Sequence, residues 1–539
     1  MFDFKGLIKA ILRQKSSDPM SNLKSATIWV QELPQRDVHR AQIEIIGALI
    51  SINEKKTTSL RERIRVLTYL DEKAASLQHT LCREYIAHAE DPDSEEAGYL
   101  PTILSFWNEM AAGYQQCIRT FAANPSSNKI RLQLPLLTLR AIYHFAMQAK
   151  WARLRYCAPD PAVWRNLHRL YLFAEREVFQ LMPLKIYPSD KVETTCASEY
   201  MQALMLHLSN PESLQPQQID MVDRWLDNWA KSITLEHEFR PHRQIYAVNL
   251  SDMKPPRKLR RNMIGEKYRY WGVGLLLVNV NKTIEQLRQG ELPARLKLGE
   301  DCRLPACLTL IELMSKRWSG AGNARQHDRQ PNVKRVEVAR GLDEIILQMR
   351  LKRSSRSSAP AESIAVEIGG VATENPDRIG APTPELFETR SEEWIMENES
   401  VSGVGATLSN PLHGGLKIGM LVGLKPEAEA KFAIGVVRRL SSTTPNKVFV
   451  GIQNLSQTPI LVELESTENG ISTTSRAIYL PEQREAAIAR SLLIDQSSYR
   501  RGRVVELKAQ GKSYAVKLQN TLDESSDYCR VSFDVVARN

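Results

Sequence analysis

Residues 318–341 read WSGAGNARQHDRQPNVKRVEVARG, and within this stretch the hydrophobic period changes. The segment before it, ending in LIELMSKRW (310–318), is helical in pattern. Its second half, NVKRVEVA (332–339), alternates apolar and polar residues as a half-buried strand does. The glycines Gly320 and Gly322 punctuate the change. The chain therefore reads as an α part succeeded by a β part. The loop between them holds Arg325 and Arg329, four residues apart at the entrance to a β domain, which raises the question of an anion.

The helical part is expected to run from 1 to 318. SLRERIRVLTYLDEKAASLQHTLCREYIAHA (59–89) places Ile64, Leu67, Leu70, Ala74 and Leu77 at three- and four-residue steps. LLTLRAIYHFAMQAKWARLRY and AVWRNLHRLYLFAEREVFQLM behave alike. Turn formers interrupt the pattern at EDPDSEEAGYLP, ANPSSN, APDP and NPESLQPQQ. Long helices with short loops predict antiparallel neighbours, in an all-α bundle or an α-solenoid. No tetratricopeptide consensus recurs at a fixed period.

Beyond 318 the apolar runs are short: KFAIGVVRRL, NKVFVGIQNL, PILVELE, RAIYLP, GRVVELKA, SYAVKLQ and CRVSFDVV, with turns such as TTPN and TENG between them. Such spacing predicts a barrel or a sandwich. LKRSSRSSAPAESIAVEIGGVATENPDRIGAPTPE (351–385) breaks the rhythm. Its Ser, Ala, Gly and Pro content reads as a mobile insertion.

With 539 residues, the chain has room for roughly three or four domains. Its 72 basic and 62 acidic residues leave a net charge of +10, too modest for a protein that coats nucleic acid and suited to a small anionic ligand. The seven cysteines are scattered and odd in number, so they read as reduced thiols. Only Cys302 and Cys307 lie close together, with no histidine pair at zinc spacing. The first residues, MFDFKGLIKAILRQKSS, make a poor secretory signal. The longest apolar run, WGVGLLLVNV, falls well short of the ~20 residues of a membrane span. A cytoplasmic protein is expected.

The arginine pair has a second half. After the insertion comes EEWIMENESVSGVGATL, in which Asn398, Ser400 and Gly403 stand as N-x-S-x-x-G. An arginine pair opening a small β-barrel, with [D/N]-x-S-x-x-G after it, resembles the PilZ domain, a family that binds cyclic di-GMP. LKIGMLVGLKPEAEAKFAIGVVRRL and VFVGIQNLS look like the later strands of such a barrel. The resemblance covers 319–457. It implies a PilZ-like small β-barrel there, with a further β-rich extension at 458–539. It also implies a ligand site made of Arg325, Arg329, Asn398, Ser400 and Gly403. This sequence differs from the family pattern in the long insertion between the motifs and in having Asn398 where Asp is common.

The chemistry suits that ligand, which carries two phosphates and two guanines. Guanidinium groups bind phosphate through paired hydrogen bonds and can grip guanine O6 and N7 or stack on its face. Asn398 can meet guanine edges with either end of its amide, and Ser400 offers a rotatable hydroxyl. Gly403 allows close backbone approach.

Other functions have weaker support. KPPRKLRRNMIGEKYRYW (254–271) interleaves basic and aromatic residues, as single-strand nucleic-acid binders do, but with so small an overall charge excess it better suits a basic loop leading into an amphipathic helix. HEFRPH sets His237 and His242 five apart without a third ligand, so no metal site is expected. Neither GGDEF- nor EAL-type sequences occur, nor a P-loop, and His327–Asp328 lacks the rest of an HD-type hydrolase. The reading is a non-catalytic cyclic di-GMP effector whose helical domain passes the signal to a protein partner. The alternatives are a PilZ-fold adaptor that binds no nucleotide and a nucleic-acid-binding protein.

Overall fold

The computed structural model describes residues 19–321, 329–354, 373–374 and 391–536, apart from short stretches at 35, 56–58, 90, 92–93, 126–127, 410–414, 428–431, 445–446, 469–470, 484–487 and 510–511. The chain divides into two compact units, 1–322 and 323–539. The α-then-β order read from the sequence holds.

The first unit is built of α1 (Leu23–Gln31), α2 (Val38–Glu54), α3 (Leu60–Ala87), α4 (Leu100–Ala123), α5 (Asn128–Arg131), α6 (Leu134–Leu154), α7 (Pro161–Arg176), α8 (Cys196–Leu208) and α9 (Pro216–Trp229). Polar side chains fix where helices begin. Asn22, Asp37, Ser59, Asp160 and Thr195 each accept a backbone N–H of the first turn, the standard N-cap remedy for orphan donors. Two pairs in the middle of the bundle, α4 with α6 and α6 with α8, pack their apolar faces together. Within this core Asp71 is fully buried and accepts from Tyr114 (2.7 Å) and Tyr187 (3.0 Å), with His144 Nε2 at 3.2 Å. Burial pushes the Asp71 carboxyl up, but His144, Arg140 and Tyr114 outweigh it and hold the group below its usual range.

The unit ends in a small sheet, β1 (Tyr246–Asn249), β2 (Arg257–Lys258) and β3 (Tyr268–Trp271) in the order β2-β1-β3, then α10 (Gly274–Arg288) and α11 (Ala306–Trp318). The sequence reading of 254–271 as a basic loop is corrected here: it supplies two short strands. Arg269 is buried, its guanidinium on Glu175, and Tyr270 and Trp271 are core residues. Cys302 and Cys307 also depart from expectation, since they form a disulfide with Cα atoms 5.2 Å apart. Among the described residues no helix is long and apolar enough to cross a membrane.

The second unit holds two closed six-stranded antiparallel barrels. The first comprises β4 (Gln330–Arg340), β6 (Glu392–Ser400), β7 (Gly403–Ser409), β8 (Leu421–Pro426), β9 (Ala433–Thr444) and β10 (Lys447–Ser456), in the order β10-β7-β6-β4-β8-β9. The second comprises β11 (Ile460–Glu468), β12 (Ile471–Leu480), β13 (Ser491–Ile494), β14 (Val504–Ala509), β15 (Lys512–Ser525) and β16 (Tyr528–Val535), closed by β14–β15 pairing. Residues 351–354 end a helix, α12 (Leu342–Ser354), and β5 (Thr373–Glu374) adds to β15. The rest of the expected insertion lies outside the described residues.

Helix α12 had no counterpart in the sequence reading. It buries Leu342, Ile345 and Ile346 against Leu421 and Ile434 of the first barrel and Ile478, Leu480 and Tyr528 of the second. The barrels thus share one apolar seam, with α12 as its filler.

Candidate functional site

Strands β6 and β7 form a hairpin whose two-residue turn is Val401–Ser402, so Ser400 pairs with Gly403 and Asn398 with Gly405. A bulge between Met396 and Asn398 shifts the alternation. Trp394 and Met396 point into the core, and past the bulge Asn398 turns outward. On its other side β6 pairs Asn398 with Pro331 of β4, and a second bulge sits next to that pair. Residue 329, just ahead of β4, is thereby carried to the same end of the barrel.

There Arg329 Nη1 donates to Asn398 Oδ1 at 2.9 Å, across 69 residues of sequence. The two neighbouring carboxylates are occupied elsewhere. Glu399 takes Asn332 Nδ2 (3.0 Å) and Lys334 (3.6 Å), while Glu397 takes the Thr407 hydroxyl and Lys447 (3.7 Å). At this contact the guanidinium rests on a neutral amide.

Asn398 begins a row across four strands. It pairs with Gly405, which pairs with Gly451, which pairs with Arg439. The two glycines make a floor on the outer face of the barrel, with Asn398 at one end and the exposed Arg439 at the other. A Cβ on Gly405 would come within 2.7 Å of Asn398 Oδ1, so the missing side chain is what lets Asn398 lie across the strand. Both glycines are buried, Gly405 beneath the Asn398 side chain and Gly451 beside Arg439, so Asn398 and Arg439 are the groups of this row that can meet a polar, anionic ligand. None of Gly405, Gly451 or Arg439 was singled out from the sequence, although a glycine inside a strand is itself a sign of close approach.

The remaining members of the motif hold the turn. Ser400 Oγ donates to the Gly403 carbonyl (3.1 Å). Gly403 sits against Ile452, whose carbonyl oxygen a Cβ would meet at 2.5 Å. Its glycine is required by neighbouring backbone, where the sequence suggested approach to a ligand. Asn454, 2 % exposed, reaches the Ser400 and Val401 carbonyls at 3.4 Å. Arg325, His327 and Asp328 lie outside the described residues.

Comparison with known families bears on both ends of the chain. Residues 24–241 match the family model of the cyclic-di-GMP receptor FimW, N-terminal domain, and residues 460–536 match that of the FimW C-terminal beta-barrel domain. The chain is FimW-like at both ends. The FimW-like N-terminal match takes in α1 to α9, and the C-terminal match takes in the second barrel. The first barrel, with the Arg329–Asn398 contact, lies between the two FimW-like segments and is covered by neither. No curated protein matches the chain.

Proposed function

We propose that the chain is a cyclic di-GMP receptor whose ligand sits on the outer face of the first barrel. The observation that carries this reading is the Arg329–Asn398 contact at the end of the glycine-floored row. The receptor description of the FimW model matched by the N-terminal segment supports the same ligand. Arg329 would serve a phosphate or a guanine face, with Arg325 joining from the same loop. Asn398 would read the guanine edge, exchanging its bond to Arg329 for bonds to the base. Ser400 and Gly403 shape the hairpin that presents Asn398.

The role is that of a cytoplasmic receptor, not an enzyme, and the helical unit would pass the signal to a protein partner. A nucleic-acid role for 254–271 has less support, because Arg269, Tyr270 and Trp271 are spent on the fold.

Calorimetric titration of the full chain with cyclic di-GMP, cyclic di-AMP, GTP and single-stranded RNA tests the reading. Saturable binding confined to cyclic di-GMP is the expected result. A chain that binds none of the four would be an adaptor on the same fold, and the receptor reading would be lost.

A further inference from the structure

The helical unit carries a half-open cavity of about 860 Å³ between α3, α4, α6, α8 and α9. Its walls are aromatic. Trp107 meets Tyr143 edge-on at 5.9 Å, and Tyr143 meets Tyr187 edge-on at 6.2 Å. Its charge is acidic: Glu199, Asp220, Asp223, Asp227, Glu300 and Asp301 line it, against Arg83, Lys150 and Arg224.

Two of these cations are already held. Lys150 Nζ lies 2.7 Å from both Asp220 and Asp223, and Arg224 binds Asp220 and Asp301. Glu199 has no such partner. Its side chain is nine-tenths buried, with the residue 5 % exposed, and one oxygen accepts from the Thr194 hydroxyl at 2.8 Å. The other oxygen has no hydrogen-bond partner, and the carboxylate makes no ion pair, among the described residues. Trp107, which also lines the cavity, is equally buried, and its Nε1–H donates to nothing among the described residues. A buried carboxylate with no ion pair among the described residues and an indole N–H without an acceptor are both costly to leave unmet.

We propose that this cavity is a binding site for an organic cation, an ammonium or guanidinium group that pairs with Glu199 between the aromatic walls. The walls suit the charge, since aromatic faces attract cations that have shed water. Trp107 Nε1–H would meet an acceptor on the same ligand. Cyclic di-GMP does not fit, because its two phosphates would face the acidic lining. The site is therefore distinct from the barrel face, and its test is independent of the nucleotide.

The cation could be a free polyamine or a basic side chain presented by a partner protein. Both share the chemistry, and separate probes tell them apart. Burial, with Asp227 and Asp223 nearby, pushes the Glu199 carboxyl up to about 7, against the Thr194 hydrogen bond and Lys231. Lys150 and Tyr143 of α6 also face this region. A cation that pairs with Glu199 at neutral pH would thus expel a proton into the buffer.

The experiment is calorimetry of the full chain at neutral pH with agmatine, spermidine and a capped Gly-Arg-Gly peptide, each in two buffers of different ionisation enthalpy. Saturable heat with at least one probe is expected, with a buffer-dependent part that reports the proton. Binding by the small amines alone assigns the site to a free cation, and binding by the peptide assigns it to a partner's side chain. Glu199→Gln should weaken binding about ten- to a hundredfold and abolish the buffer dependence. Should that variant lose its cooperative melt, Asp227→Asn at the more exposed edge should still give a smaller loss. No saturable heat with any probe, or affinities and buffer dependence unchanged in the folded variants, would overturn the proposal.

Discussion

Arg329 and Asn398 are joined by a 2.9 Å hydrogen bond in which the guanidinium donates and the amide oxygen accepts. Because Asn398 is neutral, a ligand that replaces this bond breaks a hydrogen bond and no charge pair between these two residues. Under the receptor proposal, Arg329→Ala should lower cyclic di-GMP affinity about ten- to a hundredfold, the worth of charge-assisted hydrogen bonds. The barrel should stay folded, since Arg329 precedes the first strand. Asn398→Asp should tie the arginine into an ion pair. Titration of both variants decides the point, and wild-type affinity for Arg329→Ala would remove this residue from the site.

Two glycines of one strand predict opposite outcomes. Gly405→Ala would press on the Asn398 side chain, which can swing away, so stability should change little. Its cost should appear in ligand affinity, because Asn398 would leave the row. Gly403→Ala would press on the Ile452 carbonyl, which is held in a strand pair. That collision should destabilise the barrel by about 1–3 kcal/mol. Thermal melts beside titrations separate the two, and equal melting temperatures for both variants would contradict the assignment.

The order of domains was legible because the hydrophobic period changes within one loop, between Trp318 and Val333. The residue types at both ends of the Arg329–Asn398 contact were legible too. Its surroundings were not. Which face Asn398 shows depends on a bulge beside Met396, and the Gly405–Gly451–Arg439 row exists only once three strand registers are set. Helix α12 was hidden because its apolar residues, Leu342, Ile345, Ile346 and Met349, run straight into a low-complexity segment. Their steps of three, one and three are a helical signal that could have been read. The cation cavity draws Trp107 and Glu199 from helices far apart in sequence, and no local pattern links them.

His168 predicts acid sensitivity. It is fully buried, with Nε2 3.0 Å from the Lys254 carbonyl and Nδ1 2.7 Å from the Tyr200 hydroxyl. A carbonyl can only accept, so Nε2 carries the proton and Nδ1 accepts from Tyr200. Burial lowers the ring's pKa from 6.5 to about 4. The depressed value means that the unfolded chain binds this proton first. Stability is therefore full above about 6.5 and falls as pH drops toward about 4, by roughly 3 kcal/mol from this group. His207, pushed to about 3 by burial and Arg153, acts in the same direction. Urea melts across this range should show the loss. Ring-proton resonances of His168 that titrate near 6.5 in the folded chain would refute it.

The last prediction concerns Lys150, which is 7 % exposed and bridges Asp220 and Asp223 at 2.7 Å each. Attraction to the two aspartates outweighs burial, so the amine stays charged with its pKa above the usual lysine value. Lys150→Met removes that charge and leaves two carboxylates in a poorly solvated wall. Asp220 would keep Arg224 at 3.1 Å, but Asp223 would keep only the Gln202 amide at 2.9 Å. Breaking a buried pair from one side costs about 3–5 kcal/mol, because the orphaned charge stays buried. Removing the orphan should recover most of the loss, so Lys150→Met combined with Asp223→Asn should be more stable than Lys150→Met alone. This non-additivity separates a charge effect from a simple loss of packing, which the second substitution could not repair. Urea denaturation of the three full-length chains, monitored by circular dichroism, reads it directly. A double variant no more stable than Lys150→Met would mean that Lys150 matters for its alkyl chain against the cavity wall and not for its charge.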